Sequence, residues 1–308
     1  MITGIAGDIG RSIAEILKNA FKDIEIIGTD IDKNFPYKLY CNNFVEGMPF
    51  SNPDYLKFLE EYVSKSQLLC IIPTSELEIR FFNEKRISHI LDVPLIMASN
   101  NIMDIGFDKL KTIHFLSENN LPYPETILAK DFNYNLQLPC IAKSRTGAGS
   151  KEIFIVNTEN FQSIIEKYPE WIFQELLLPE NEEYTCGIFK SKKGIVKTIT
   201  LKRTLKGGRT GYAEVVDNEL INSLLFQVAD SIKFNGSINI QLRLSGGEPK
   251  IFEINPRFSS TVKFRDMLGF KDLLWSIQDV IGEINEIDYN VNEIIGKKLY
   301  RADKEIIY

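Results

Sequence analysis

Histidine is nearly missing from this sequence: its 308 residues include two, His89 and His114. Both stand in helix-like surroundings, Arg86–Ile90 and Thr112–Leu116, where a structural role is expected. A histidine-rich zinc site is thereby excluded, and a Ser-His-Asp triad has little to draw on. Cysteine is sparse as well. Cys41, Cys70, Cys140 and Cys186 are scattered without a Cys-x-x-Cys pair, so reduced, partly buried thiols are expected rather than disulfides or metal ligands. An excess of basic charge is absent too. The net charge is −6 with no basic tract, which argues against a nucleic-acid surface. No apolar run approaches the roughly 20 residues of a membrane span. The opening, Met1-Ile2-Thr3-Gly4, enters a strand without a charged leader. A cytoplasmic protein that binds neither membrane nor nucleic acid is expected.

What is present reads as a globular chain, with 44% hydrophobic and 25% charged residues and enough length for two or three packed domains. Gly4, Gly7 and Gly10 lie between a short apolar strand and an amphipathic helix, and Glu25–Asp30 follows as a strand ending in an acid. This is a βαβ unit with a nucleotide-fold fingerprint. Leu68–Pro73 and Leu95–Ala98 continue the strand–helix alternation, so a doubly wound domain is expected to run to about Asn101. Taken alone, the opening resembles a short-chain dehydrogenase or sugar-nucleotide epimerase. The competing reading is that the glycines allow close helix–strand packing.

Further along, Asp108 opens a helix carrying Lys109 and Lys111. Pro139–Lys143 reads as a strand ending in a lysine. The run Ser144–Lys151 after it contains Gly147 and Gly149, and another strand resumes at Ile153. A P-loop needs a following helix and a Gly-Lys-Ser/Thr ending, and both are missing. A glycine-rich loop between two strands can instead fold over phosphates with its backbone N–H groups. Trp171–Leu177 is an apolar strand, and Glu182–Gly187 begins the next. Lys202–Gly211 reads as a basic, glycine-rich loop ahead of a helix over Asn218–Ile232. The tail after Asp279 shows no distinctive feature.

The most informative stretch is Gly236–Arg257. Ile238, Ile240, Leu242 and Leu244 alternate with Asn239, Gln241 and Arg243, the period-2 pattern of a half-buried strand. A turn at Ser245–Pro249 follows, then a second alternation with Phe252 and Ile254 on one face and Glu253 and Asn255 on the other. Pairing Gln241 with Glu253 centres a short odd-membered loop on Gly247 and puts Gln241, Glu253 and Asn255 on one face. Carboxylate and amide oxygens in this arrangement suit Mg²⁺ together with nucleotide phosphates, and Arg257 follows closely. The ordinary alternative is a polar hairpin face in water.

With these pieces in order, the chain resembles an ATP-grasp enzyme, and most of all a single ATP-grasp unit of the carbamoyl phosphate synthase large subunit. Asn239 and Gln241 match the family's Asn-x-Gln strand, and Glu253-Ile254-Asn255-Pro256-Arg257 reproduces its Glu-x-Asn-Pro-Arg run. The resemblance implies an α/β (α+β) fold in which a Rossmann-like pre-ATP-grasp domain (1–101) precedes a small lobe (102–180) and a large lobe (181–308). It implies that Gln241, Glu253 and Asn255 hold Mg²⁺ (or Mn²⁺) on ATP, and that Arg257 stabilises the transferring phosphoryl group. Lys143 would contact phosphate and adenine, and Gly149 and Ser150 would close over the nucleotide. Glu175, Leu177 and Glu183 would take adenine and ribose, Lys109 or Lys111 a further phosphate, and Arg209 the phosphate and acceptor. Carbamoyl phosphate synthases tend to carry arginine at the position of Lys143 and histidine near that of Arg209. They also use two such units, so a related ligase acting on small-molecule carboxylate and amine (or thiol) substrates is implied, and a homodimer is allowed. The rival readings are an NAD(P)-dependent oxidoreductase built on Gly4-Gly7-Gly10 and a nucleotide-binding protein without ligase activity. Arg203, Arg209, Arg243 and Arg265 hint at an acidic substrate.

Overall fold

The computed structural model of the protein describes residues 1–147 and 153–302. The chain opens with β1 (Ile2–Thr3), α1 (Asp8–Ala20), β2 (Ile27–Asp30), β3 (Asn43–Glu46), α2 (Tyr55–Ser64), β4 (Ile72–Pro73) and α3 (Glu76–Glu84). The four strands form a parallel sheet in the order β3-β2-β1-β4. Ile2, Ile5, Ile13, Leu17, Ile72 and Ile96 bury its centre. Gly4 takes φ +64°, and a Cβ on Gly10 would lie 2.5 Å from the Gly4 carbonyl oxygen, so these glycines let α1 press against β1. Chain order reverses between β1 and β4, and the carboxyl ends of those strands flank a crevice of the kind that receives ligands in open α/β sheets.

A short antiparallel pair follows, β5 (His89–Ile90) with β6 (Val93–Pro94). His89 is thus in a strand, not a helix, and is exposed. Of the expected strand over Leu95–Ala98, a parallel bridge of Leu95 to Ile71 forms, with Ile96 N–H donating to the Ile71 carbonyl at 2.8 Å. Two helices, α4 (Asn100–Gly106) and α5 (Lys109–Glu118), lead on, the second capped by the Asp108 carboxylate accepting from the Leu110 and Lys111 amides.

The next antiparallel sheet contains β7 (Thr126–Leu128), β8 (Cys140–Lys143), β9 (Ile153–Val156) and β10 (Ile172–Glu175), ordered β7-β10-β8-β9, with α6 (Phe161–Lys167) packed on it. Cys140, Ala142, Val156 and Phe173 bury one face against Ala129 and Leu136. Lys143 pairs with Ile153 and Ile141 with Ile155, which places these side chains on the opposite face.

The largest sheet takes β11 (Glu183–Lys190), β12 (Val196–Lys206), β13 (Arg209–Val215), α7 (Glu219–Ser231), β14 (Gly236–Ser245), β15 (Glu248–Asn255), α8 (Val262–Met267), α9 (Asp272–Val280) and β16 (Lys298–Tyr300). Its order is β15-β14-β11-β12-β13-β16. Tyr184, Cys186, Ile188, Ile238, Ile240 and Leu242 pack against α4, α5 and α7. On the opposite face Phe189, Ile199, Leu201 and Val215 meet Phe264, Leu268 and Trp275 from α8 and α9.

The basic stretch expected as a loop is a hairpin. Gly207 and Gly208 take φ +59° and +75°, forming a two-residue turn, so Lys202–Lys206 and Arg209–Gly211 extend as strands. The tail also proves structured, since Tyr300 pairs with Tyr212 through β16. Arg265 is wholly buried, with Nη2 3.0 Å from Asp272 Oδ2, and Ser237 donates to the same carboxylate. It therefore belongs to the core behind the sheet and is not available to a substrate. All four cysteines are free and buried. Among the described residues, no helix is long and apolar enough to cross a membrane.

Candidate active site

In β14 and β15 Asn239 stands opposite Asn255 and Gln241 opposite Glu253, the expected register. The turn differs. Gly246 and Gly247, at φ +62° and +85°, make a two-residue turn between Ser245 and Glu248. The odd residue is absorbed as a bulge, because Leu242 pairs with Ile251 and Phe252 has no partner in the ladder. Ile251 and Ile254 therefore both enter the core, while Phe252 does not share their face as the alternation suggested. Its ring instead lies under Lys143, whose Nζ is 5.3 Å from the ring centroid.

Lys143, at the end of β8, is 7% exposed. Burial pushes its pKa down to about 8, partly opposed by the Glu253 charge. Lys109 approaches the same carboxylate, with Nζ 3.7 Å from Glu253 Oε1 and donating to the Gly147 carbonyl at 2.6 Å. Lys111, two residues on, is exposed. The start of α5 is fixed by a fork. Arg145 Nε and Nη2 donate to the Asp108 carboxylate at 2.7–2.9 Å, and the Lys109 amide donates to the Arg145 carbonyl at 3.0 Å. Burial works against ionisation of Asp108, but the Arg145 hydrogen bonds hold its carboxyl below the usual range.

Beside Gln241 the charges are already matched. Arg203 Nη2 donates to Gln241 Oε1 at 2.8 Å and to Glu183 Oε1 at 2.7 Å. Arg243 donates to the other Glu183 oxygen and to the Leu177 carbonyl, the latter at 2.7 Å. Glu175 accepts from Lys250 Nζ at 2.7 and 2.8 Å. The arginines expected to meet an acidic substrate at positions 203 and 243 are thus committed to protein partners. Arg257 Nε donates to Glu76 Oε2 at 3.0 Å, so the residue after the hairpin is tied to the first turn of α3. Arg209 is about half exposed, 3.5 Å from Asp8, which also accepts from Arg301 at 3.3 Å.

A cavity of about 630 Å³ opens between the parallel sheet and this hairpin. Gln241, Glu253, Asn255, Arg257 and Arg209 line it, whereas Lys143, Glu175, Leu177 and Glu183 do not and sit toward the β8–β10 sheet. Gly149 and Ser150 lie outside the described residues. Sequence reasoning missed the exposed pair Ile153 and Ile155, which share a sheet face with Lys143, and the reach of Arg301 to Asp8. A lone arginine in a polar tail carries no local signal. The isoleucines differ from an ordinary strand only in staying exposed.

Asp30, the acid that ends the second strand of the βαβ unit, accepts from the Ala6 and Asp32 amides at 2.9 and 3.1 Å and so braces its own glycine turn. The Tyr-x-x-x-Lys spacing used by short-chain dehydrogenases occurs at Tyr300 and Lys304, on the far edge of the largest sheet, and Lys304 lies outside the described residues.

The donor set fits magnesium in one particular way. Gln241, Glu253 and Asn255 offer one carboxylate and two amide oxygens, the hard donors magnesium prefers. Among the described residues no group of three or more acidic, histidine or cysteine side chains could hold a metal unaided. The site therefore suits a cation that brings nucleotide phosphates with it. Asn239 Nδ2 is buried without a partner beside this set, while its Oδ1 accepts from Thr185 at 2.9 Å.

Residues 107–261 match the sequence model of the ATP-grasp domain, and the chain belongs to the ATP-grasp family. Among its relatives is a carbamoyl-phosphate synthase of Methanobrevibacter smithii, 23% identical over 188 residues that cover 55% of this chain and 51% of the relative. The chain thus spans about half the length of the curated relative it matches. Among solved structures, N5-carboxyaminoimidazole ribonucleotide synthetase from Thermus thermophilus superposes with a TM-score of 0.72 at 16% identity, covering 93% of this chain and 79% of that one. A biotin carboxylase from Campylobacter jejuni, in complex with β,γ-ATP, gives 0.72 at 13% identity over 96% and 73%. At such identities the likeness is one of fold.

Proposed function

We propose that this chain is an ATP- and Mg²⁺-dependent ligase, akin to one unit of a carbamoyl phosphate synthase, that joins a carboxylate to an amine or thiol through an acyl phosphate. The observation that carries this reading is the pairing of Gln241 with Glu253, and of Asn239 with Asn255, at the wall of a 630 Å³ cavity with Lys109 3.7 Å from Glu253. In the overall reaction, a substrate carboxylate oxygen bonds to the γ-phosphorus and ADP departs. The nucleophile then attacks the acyl carbon, phosphate departs, and the nucleophile's proton goes to solvent.

Such chemistry asks the protein for positioning and charge neutralisation rather than covalent help, so a site without histidine or cysteine suffices. Magnesium, when bound, would neutralise negative charge on the ATP phosphates. Gln241, Glu253 and Asn255 would hold it. Lys109 and Lys143 bring two cations to the same carboxylate, positioned to receive phosphates as the Glu253 charge is shared with the metal. Arg257 would turn from Glu76 toward the transferring phosphoryl group, and Arg209 stands at the acceptor side. Ile153, Ile155 and Phe252 offer apolar surface for adenine, with Glu175 and Leu177 at its edge. Glu183 reaches ribose in this reading by giving up part of its arginine contacts.

A screen of amino acids and other carboxylates with amines, following ADP and phosphate release, tests the proposal. Turnover that requires both a carboxylate and an amine is the expected result. Tight binding of ATP with Mg²⁺ but no turnover across the panel would favour a nucleotide-binding protein without ligase activity.

A further inference from the structure

The cavity has a charge polarity that the metal-side residues do not explain. Its lining from the largest sheet and the loop after it includes Arg203, Arg209 and Arg257 against one acid, Glu253. Its lining from the parallel sheet includes Asp8, Asp30 and Glu78 and no lysine or arginine. Asp8 is matched by Arg301 and Arg209. Asp30 and Glu78 have no basic partner among the described residues. Glu78 is 4% exposed and accepts hydrogen bonds from the Thr3 hydroxyl, at 2.7 Å, and from the Tyr55 phenol. Those donors occupy one site on each oxygen and leave further lone pairs of the carboxylate free.

A buried carboxylate without a counter-ion is costly, and such a group lining a cleft marks a candidate ligand site. Burial, with the Asp30 charge adding to it, pushes the Glu78 pKa up against its hydroxyl donors, the direction a cation would reverse. An independent sign of a missing ligand stands next to it. Thr29 is 4% exposed and lines the cavity, and its Oγ1 has no hydrogen-bond partner. Gly47 packs close to that hydroxyl, where a Cβ would lie 2.6 Å from it. Thr29 and Asp30 end β2, and Glu78 lies in the first turn of α3, just beyond β4, beside the point where chain order reverses. Met48, Phe50 and Tyr55 complete this wall with apolar surface.

We infer that this wall is a recognition site for a substrate ammonium group, held by Glu78 and Asp30 with the Thr29 hydroxyl beside it. The inference deepens the ligase reading and rests on it. The acid substrate is then an amine-bearing carboxylate with an apolar portion, its carboxylate toward Arg257 and the metal residues and its amine toward the parallel sheet. A phosphorylated acceptor fits poorly, because that wall offers it no cation.

The test uses the full chain and direct calorimetry without nucleotide. The probes are L-leucine, L-lysine and 6-aminohexanoate, their amine-free counterparts 4-methylpentanoate and hexanoate, and 3-phosphoglycerate. At least one amine-bearing acid should bind, and its amine-free counterpart should bind about tenfold or more weakly, the scale of one charged hydrogen-bonded contact. Glu78→Gln, which keeps the side-chain shape, should erase most of that difference while affinity for ATP with Mg²⁺, titrated separately, is unchanged. Thr29→Val, which leaves the Glu78 network intact, should weaken amine binding by a smaller factor. Binding by none of the three amines, equal binding of the amine-free acids, or a preference for 3-phosphoglycerate overturns the inference. Amine discrimination without ATP binding would instead support this site and remove the ligase reading.

Discussion

Lys109 Nζ stands 3.7 Å from Glu253 Oε1, joining the first turn of α5 to the far end of the β14–β15 hairpin. Two lysines in the same turn carried equal weight in the sequence, and their geometry separates them. Lys109→Ala should lower kcat/KM for ATP by about tenfold or more, the loss expected for one charge contact at a phosphate. Lys111→Ala should leave it within about twofold, as for an exposed residue. Steady-state assays of the two variants decide the matter, and equal losses would break the assignment.

Glu253→Ala and Asn255→Ala should each reduce ATP turnover about a hundredfold or more, on the order of 3 kcal/mol of transition-state stabilisation. Circular dichroism and thermal melts should stay close to wild type, because both side chains line an open cavity. ADP release at wild-type rates from either variant would defeat the metal assignment.

Lys143 gives a pH signature in the nucleotide-free protein. Its pKa falls from 10.5 to about 8 on burial. Between those values the unfolded chain binds a proton that the native state does not, so this residue makes stability rise with pH across the window. Below about pH 8 both states are protonated and the folded protein carries the full penalty, on the order of 3 kcal/mol. Lys143→Met should therefore be more stable than wild type to urea at pH 7, with the advantage shrinking toward pH 10. An advantage independent of pH would show that the lysine's charge is not what costs stability.

Gly187 sits over the buried Arg265–Asp272 pair, and a Cβ there would lie 2.7 Å from Arg265 Nη1 and 3.0 Å from Phe270. Gly187→Ala should destabilise by about 2–4 kcal/mol, through overpacking and disturbance of a desolvated ion pair. Chemical denaturation at neutral pH measures the loss, and a change below about 0.5 kcal/mol would mean the core yields freely.

Much of the hairpin was legible because alternation and glycine placement are local. Ile238, Ile240 and Leu242 are buried on one face, and Gln241 does meet Glu253. The turn was misjudged for a physical reason. A two-residue turn plus a bulge, and an odd-membered loop without one, consume the same number of residues between fixed partners, and packing of both Ile251 and Ile254 chooses the former. Lys109 and Lys111 were inseparable because the helix phase is fixed by the Asp108–Arg145 fork, a contact between residues far apart in sequence. The pairing of Arg203 and Arg243 with Glu183 was invisible for the same reason, since it depends on which strands of a six-stranded sheet lie side by side. Lys202–Gly211 looked like a loop because charge and glycine were weighed above strand pairing. The family resemblance supplied the roles that geometry alone could not name.

Asp8 accepts from Arg301 across a separation of 293 residues, and Arg209 approaches the same carboxylate. A contact of that span has a larger loop-closure cost than local contacts, so it belongs to the late steps of folding. A nascent chain that stops short of residue 301 already carries the acidic wall and Arg203, Arg209 and Arg257, but not Arg301. Until that residue arrives, Asp8 has Arg209 as its one basic partner among the described residues, so this rim of the cavity is fastened late.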